Sequence, residues 1–252
     1  MTSPHPTQQT PVRRFAGWAL VVALLYFLIL FALTVPAIML AFAPKADWPT
    51  WAEAAKVYIA WPYWLWLLIM VISQAALLAI PVRVASRRPA TRRSLWPTIL
   101  AAGFMAGGLV LGGILSIYEF LSRGINLDDW MGWSMIAVGV LTWFLWTLVF
   151  FRMGRGTDPA NLVSKQCRLL LKGSILELLI AVPTHIVARH RDYCCAGFMT
   201  FVGLTMGIAV MLFSFGPAVF LLFVERWKRL HPPQAGEMKG VALPPEPDQR
   251  LG

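Results

Sequence analysis

The sequence has few charged residues for its length. Of its 252 residues, 13% are Asp, Glu, Lys or Arg and 58% are apolar, whereas a soluble domain has about 25% charged and roughly 45–50% apolar residues. Five stretches lack charge altogether, and each reaches the ~20 residues that a membrane-spanning helix needs. These stretches are 15–44, 57–82, 94–118, 130–151 and 193–224. The chain is therefore expected to be a multi-pass membrane protein.

Cysteine is also scarce. Three cysteines cannot form a disulfide framework, and Cys194 and Cys195 are adjacent, which prevents relaxed disulfide geometry between them. We therefore expect free thiols. The helix-length apolar runs also disfavour a Rossmann fold, a β-barrel and a disulfide-stapled secreted module.

The expected fold class is an all-α, polytopic transmembrane helical bundle. Six helices are predicted near 15–42, 57–82, 95–121, 131–151, 170–189 and 196–225. The alternative is five crossings, with 170–189 lying at the membrane interface. Residues 1–12 and the Pro-rich segment 231–252 lack aliphatic periodicity and are predicted to be disordered tails, which leaves 13–230 as the transmembrane domain.

The basic residues predict how the bundle is oriented. A net charge of +10 would suggest nucleic acid in a soluble chain, but here Lys and Arg lie in short loops beside apolar runs, so we expect the lipid bilayer as partner and no nucleic acid. With six crossings and a cytoplasmic N-terminus, 15 basic residues lie inside and five outside. The count predicts a bacterial-type inner membrane protein with both termini in the cytoplasm. With five crossings, 14 basic residues lie inside and six outside, so charge alone does not decide between five and six crossings.

Glycine is spaced for close helix packing in two predicted helices. GxxxG patterns occur at Gly103/Gly107, Gly108/Gly112 and Gly203/Gly207. Small residues at this spacing let helix backbones approach closely in lipid. We expect these faces to be seams within the bundle, or contacts with a membrane-protein partner or a second copy of the chain.

Residues 173–195, GSILELLIAVPTHIVARHRDYCC, depart from plain membrane packing. Helical geometry places Glu177, Thr184 and His185 on one small, polar face that continues towards Arg189. If the helix spans, Glu177 lies near mid-membrane, protonated or paired, and could mark a proton or substrate pathway. If it lies flat, the face is in water. The lack of Lys or Arg between 172 and 189 favours spanning.

The end of this segment suggests two further contacts. His185, His190, Cys194 and Cys195 are soft enough ligands for Cu(I), Zn or haem iron, although no recognised metal motif is present and the sequence requires no cofactor. Arg189 and Arg191 could pair with Glu119, Asp128 or Asp129, or could anchor at the depth of the lipid phosphates.

The segments LELLIAVPTH, RHRDYCCAG and SFGPAVFLLF resemble segments of uncharacterised bacterial multi-pass membrane proteins. The resemblance implies that 170–225 form one unit, and it assigns no role to any residue. The first functional hypothesis is a non-enzymatic accessory or scaffold subunit of a membrane complex. The alternatives are a redox, metal or haem protein using His185, His190, Cys194 and Cys195, and a proton-coupled transporter using Glu177.

Overall fold

The computed structural model describes residues 11–42, 50–85, 92–122, 129–191 and 196–230. Within these ranges the chain forms helices and no strand. The helices are α1 (Pro11–Phe42), α2 (Trp51–Ala55), a 3-10 turn (Lys56–Ile59), α3 (Trp61–Ala85), α4 (Arg92–Leu121), α5 (Asp129–Met153), α6 (Pro159–Arg189) and α7 (Phe198–Leu230). All but α2 and the 3-10 turn are long and apolar enough to cross a membrane, which makes six candidate spans among the described residues. The predicted all-α bundle is confirmed.

Helix α6 begins eleven residues earlier than the apolar pattern predicts. Its first turn has Pro159 at the start, and the backbone N–H of Asn161 donates to the carboxylate of Asp158 (3.4 Å). Both features are typical of a helix N-terminus. Three basic residues interrupt the apolar pattern in this part of α6, so hydropathy alone does not predict where the helix begins. They are Lys165, Arg168 and Lys172.

In place of the helix predicted near 57–82, the structure has a 3-10 turn (Lys56–Ile59) followed by α3 (Trp61–Ala85). The short helix α2 precedes the turn. Thr50 and Glu53 form a capping box at the start of α2, in which the Thr50 N–H donates to Glu53 Oε2 (2.8 Å) and the Glu53 N–H donates to Thr50 Oγ1 (3.3 Å). These hydrogen bonds lower the pKa of Glu53. The hydroxyl of Tyr58 then donates to the carbonyl of Phe31 in α1 (2.8 Å). The short helices therefore pack against α1, and the span starts only at Trp61.

Helix α4 is the centre of the bundle. It packs against α3, α5, α6 and α7, and 61% of the residues in its 18-residue apolar stretch are buried. Helix α5 contrasts with α4, because its extensive contacts are with α4 alone. Only 6% of the residues in the corresponding apolar stretch of α5 are buried. Consequently α5 and α6 flank α4 as separate neighbours.

Candidate functional site

The glycine patterns of α4 lie in two different helix contacts. A Cβ atom on Gly107 would lie 2.8 Å from the backbone nitrogen of Trp143 in α5, and a Cβ on Gly103 would overlap Thr147. On the opposite side, a Cβ on Gly112 would lie 3.0 Å from the Cα of Gly203 in α7. These glycines therefore permit backbone approaches that any other residue would prevent.

The side chain of Glu177 from α6 lies beside the seam between α4 and α7. A Cβ on Gly112 would overlap Glu177 Oε1, and a Cβ on Gly207 would lie 3.4 Å from Oε2. Gly108, the remaining predicted packing glycine, faces the side chain of Met206 instead. The glycines of α4 and α7 thus provide the space in which the carboxyl group fits.

Glu177 is buried, with 4% of its surface exposed, and neither carboxyl oxygen has a hydrogen-bond partner among the described residues. The hydroxyl of Ser116, which a Cβ on Gly203 would overlap, is buried without a partner in the same part of the structure. Buried polar groups in proteins are nearly always hydrogen-bonded, and exceptions call for an explanation such as a ligand, a water molecule or a proton-transfer role.

Glu119 of α4 binds the start of α7. Its carboxylate accepts hydrogen bonds from the backbone N–H groups of Gly197 (2.6 Å) and Thr200 (2.7 Å), and the residue is fully buried. A carboxylate at a helix N-terminus satisfies N–H groups that have no partner within the helix and is favoured by the helix dipole. The carboxylate therefore tethers α7 to α4.

His185 and Arg189, two members of the predicted polar face, point to this same junction. His185 Nδ1 lies 2.8 Å from the hydroxyl of Thr200, and Arg189 Nη1 donates to the carbonyl of Ala196 (2.8 Å). Arg189 also interacts electrostatically with Glu119. Gly197 has a φ of +90°, and the Arg189 side chain occupies the place where a Cβ on Gly197 would lie. Glycine is required here for both reasons.

Arg191 closes the end of α4. Its guanidinium donates to the carbonyls of Glu119 (2.9 Å), Phe120 (2.5 Å) and Ser122 (2.5 Å). Of the three acids predicted as partners, Glu119 therefore interacts with both arginines. Its carboxylate interacts electrostatically with Arg189, and its backbone carbonyl accepts a hydrogen bond from Arg191. Asp128 lies outside the described residues, and Asp129 begins α5.

Thr184 and His190, two further predicted site residues, contact carbonyl groups of their own helix segment. Thr184 donates to the carbonyl of Ile180 in its own helix (2.7 Å). His190 Nδ1 lies 2.7 Å from the carbonyl of Ile186, and Cys194 and Cys195 lie outside the described residues. Over the part of the chain that is described, no group of three His, Cys, Asp or Glu side chains is placed to hold a metal ion.

A groove lies between α5 and α6, with α4 as its floor. Its volume is about 720 Å³, and most of its lining is apolar. The apolar lining includes Leu109, Ile114, Trp146, Leu169, Leu176 and Ile180. Its polar groups are Lys165, Arg168 and Lys172 towards the start of α6, with Glu177 further along the same helix. Glu177 therefore lines part of the groove, while both of its carboxyl oxygens are buried at the α4–α7 seam.

Sequence reasoning identified Glu177 but missed the groove. In the sequence, Lys165, Arg168 and Lys172 indicate only orientation, although their spacing of three and four residues puts them on one face of α6. It also missed Gln74 and Gln166, which are fully buried and have no hydrogen-bond partner for either side-chain polar atom within the described ranges. For Gln74 the signal is a polar residue inside a charge-free run, whereas Gln166 lies between Lys165 and Arg168 and has no such signal.

Compared with known protein families, curated proteins and solved structures, the chain matches none of them. The described residues define an integral membrane protein with six apolar helices, a polar junction between α4, α6 and α7, and a buried carboxyl beside a groove.

Proposed function

We propose that this chain is a non-enzymatic accessory protein of the membrane that holds a lipid-like molecule in the groove between α5 and α6. The observation that carries the proposal is the groove itself, whose volume of about 720 Å³ falls within the roughly 300–1,000 Å³ of small-molecule sites. Its walls are apolar and its polar groups are few and placed at defined positions, as in other ligand sites.

The position of the groove favours a ligand that enters from the bilayer. Helices α5 and α6 both pack against α4, and the groove is the gap between them. A molecule dissolved in the membrane can therefore enter the groove laterally, between α5 and α6. The accessory or scaffold role suggested by the sequence is retained in this proposal, because a bound lipid positioned on the bundle would be presented to a neighbouring membrane protein.

A glycine substitution tests the proposal. Gly113 lines the groove, and a Cβ there would meet nothing within 4 Å, so Gly113→Leu fills the groove without displacing a helix. Native mass spectrometry of the purified protein should show one retained lipid for the natural chain and at least about tenfold less for the variant. Gly132→Leu on α5 is the matched control, since a Cβ at Gly132 also meets nothing and Gly132 does not line the groove. Equal lipid retention by all three proteins would contradict the proposal.

A second candidate function is proton-coupled transport, and the unsatisfied carboxyl of Glu177 beside the groove favours it. Intramembrane carboxyl groups that face a cavity are typical of proton pathways. Proteoliposomes containing a pH-sensitive dye should then show a proton flux that Glu177→Gln abolishes. Glu225→Gln is the control, because Glu225 is exposed on α7 and pairs with Arg229 (2.6 Å). Absence of flux from the natural protein would remove this candidate.

A further inference from the structure

Resting on the proposed function, we infer that the groove selects an amphiphile with an anionic, phosphate-bearing headgroup, which Lys165, Arg168 and Lys172 bind. All three line the groove, and all three are exposed. Among the described residues none of them has an ion-pair partner. The site thus offers three cationic groups on one helix face to a ligand.

The depth of these cations matches the headgroup region of a bilayer. Arg189 ends α6 at the junction with α4 and α7. Arg168 precedes it by 21 residues, which is about 31 Å along a helix, and the hydrocarbon core of a bilayer is about 30 Å thick. If Arg189 lies at one interface, Arg168 therefore lies at the other, with Lys172 one turn towards the core and Lys165 one turn towards water.

The groove changes from basic to apolar in the direction of the membrane centre. Beyond Lys172 its lining on α6 is Gly173, Leu176, Glu177 and Ile180. From Lys165 to Ile180 is about 22 Å along the helix, which is longer than the half-thickness of the hydrocarbon core. An acyl chain of one leaflet can therefore lie along this wall while its headgroup stays at the basic end.

The chemistry of the basic groups favours phosphate. A guanidinium binds phosphate oxygens through two parallel N–H donors, and two ammonium groups supply additional charge. The basic side chains lie at one end of the groove only, so an anionic headgroup is favoured at that end. A zwitterionic lipid brings its own cation to the same place and gains less.

Lipid competition tests the inference. The protein is purified in a neutral detergent and mixed with equal amounts of phosphatidylglycerol and phosphatidylcholine that carry identical chains, and bound lipid is counted by native mass spectrometry. We expect about a tenfold preference for phosphatidylglycerol. The triple variant Lys165→Gln, Arg168→Gln, Lys172→Gln should still bind lipid but without the preference.

The matched control removes the same charge elsewhere, with Lys56→Gln, Arg226→Gln and Arg229→Gln, none of which lines the groove. Its preference should equal that of the natural protein. A salt titration on the natural protein needs no variant, and the preference should fall as ionic strength rises, because exposed charges are screened. Oleate in place of phosphatidylglycerol separates a carboxylate from a phosphate, and equal binding of oleate would contradict the assignment of phosphate.

Failure of the inference and failure of the proposed function are distinguishable. Lipid that is lost on Gly113→Leu but shows no headgroup preference would overturn the inference and leave the proposed function standing. Equal loss of preference in both triple variants would also overturn the inference, since it would locate the selectivity in net charge. No retained lipid in the natural protein would overturn both.

Discussion

The two ends of the polar face on α6 differ in how fully their polar groups are hydrogen-bonded. At the junction with α7, Glu119 accepts two backbone hydrogen bonds, and His185 and Arg189 each have a partner. About two turns away along α6, Glu177 has none among the described residues. The junction is typical of a structural contact, because Glu119, His185 and Arg189 already have hydrogen-bond partners there. The unsaturated end is where a ligand or a proton can still be bound.

The largest effect is expected from breaking the joint at Glu119. Glu119→Leu leaves the N–H groups of Gly197 and Thr200 buried without partners, and hydrogen bonds to a charged group are worth about 1.5–3 kcal/mol each. We expect the free energy of unfolding to fall by about 3 kcal/mol or more, measured by denaturant titration in mixed micelles. Glu225→Leu, at an exposed position, serves as control. A small loss at Glu119 would remove the distinction between the two ends.

Gly112→Ala tests how tightly the seam is closed around Glu177. The added Cβ overlaps Glu177 Oε1 and lies 3.0 Å from the Cα of Gly203, so the helices or the carboxyl must move, at a cost of about 1–3 kcal/mol. The neighbouring Gly113→Ala is the control, because its Cβ meets nothing within 4 Å. Thermal aggregation midpoints in detergent should fall for the first variant alone, and equal midpoints would mean that the seam is looser than described.

His185→Phe should have a smaller effect than either change. It removes the hydrogen bond to the Thr200 hydroxyl, a contribution of about 1 kcal/mol, while that hydroxyl can still donate to the carbonyl of Gly197 (3.0 Å). A double-mutant cycle with Thr200→Val measures the pair directly, and a coupling energy of about 0.5 kcal/mol or more is expected. Additive effects would show that the pair contributes nothing of its own.

Glu177→Gln is expected to change stability least. No described group donates to or accepts from the carboxyl, so the nearly isosteric amide leaves no partner unsatisfied, and we expect a change within about 0.5 kcal/mol. A loss comparable to that of Glu119→Leu would show that Glu177 also has a structural partner.

Much of the fold could be predicted because it depends on local hydropathy. Charge-free runs of spanning length specify five of the six apolar helices, and helix is the form in which such a run satisfies its own backbone in lipid. The remaining helix, α6, contains charged residues and was predicted only over its apolar part, 170–189. Helix ends were predicted less well where polarity and structure disagree. Lys165, Arg168 and Lys172 belong to α6, although their charge is typical of a loop between two spans.

The site could be predicted only in part. Helical periodicity alone placed Glu177 and His185 on one face, since both lie on the same helix. The partners of that face could not be derived, because Glu119 and Thr200 are 81 residues apart in the chain. The sequence by itself thus determined that six apolar helices form and which face of α6 is polar. The tertiary structure decided that Glu119 is bonded while Glu177 is not, and that α5 and α6 leave a groove, because these outcomes depend on how separate helices pack.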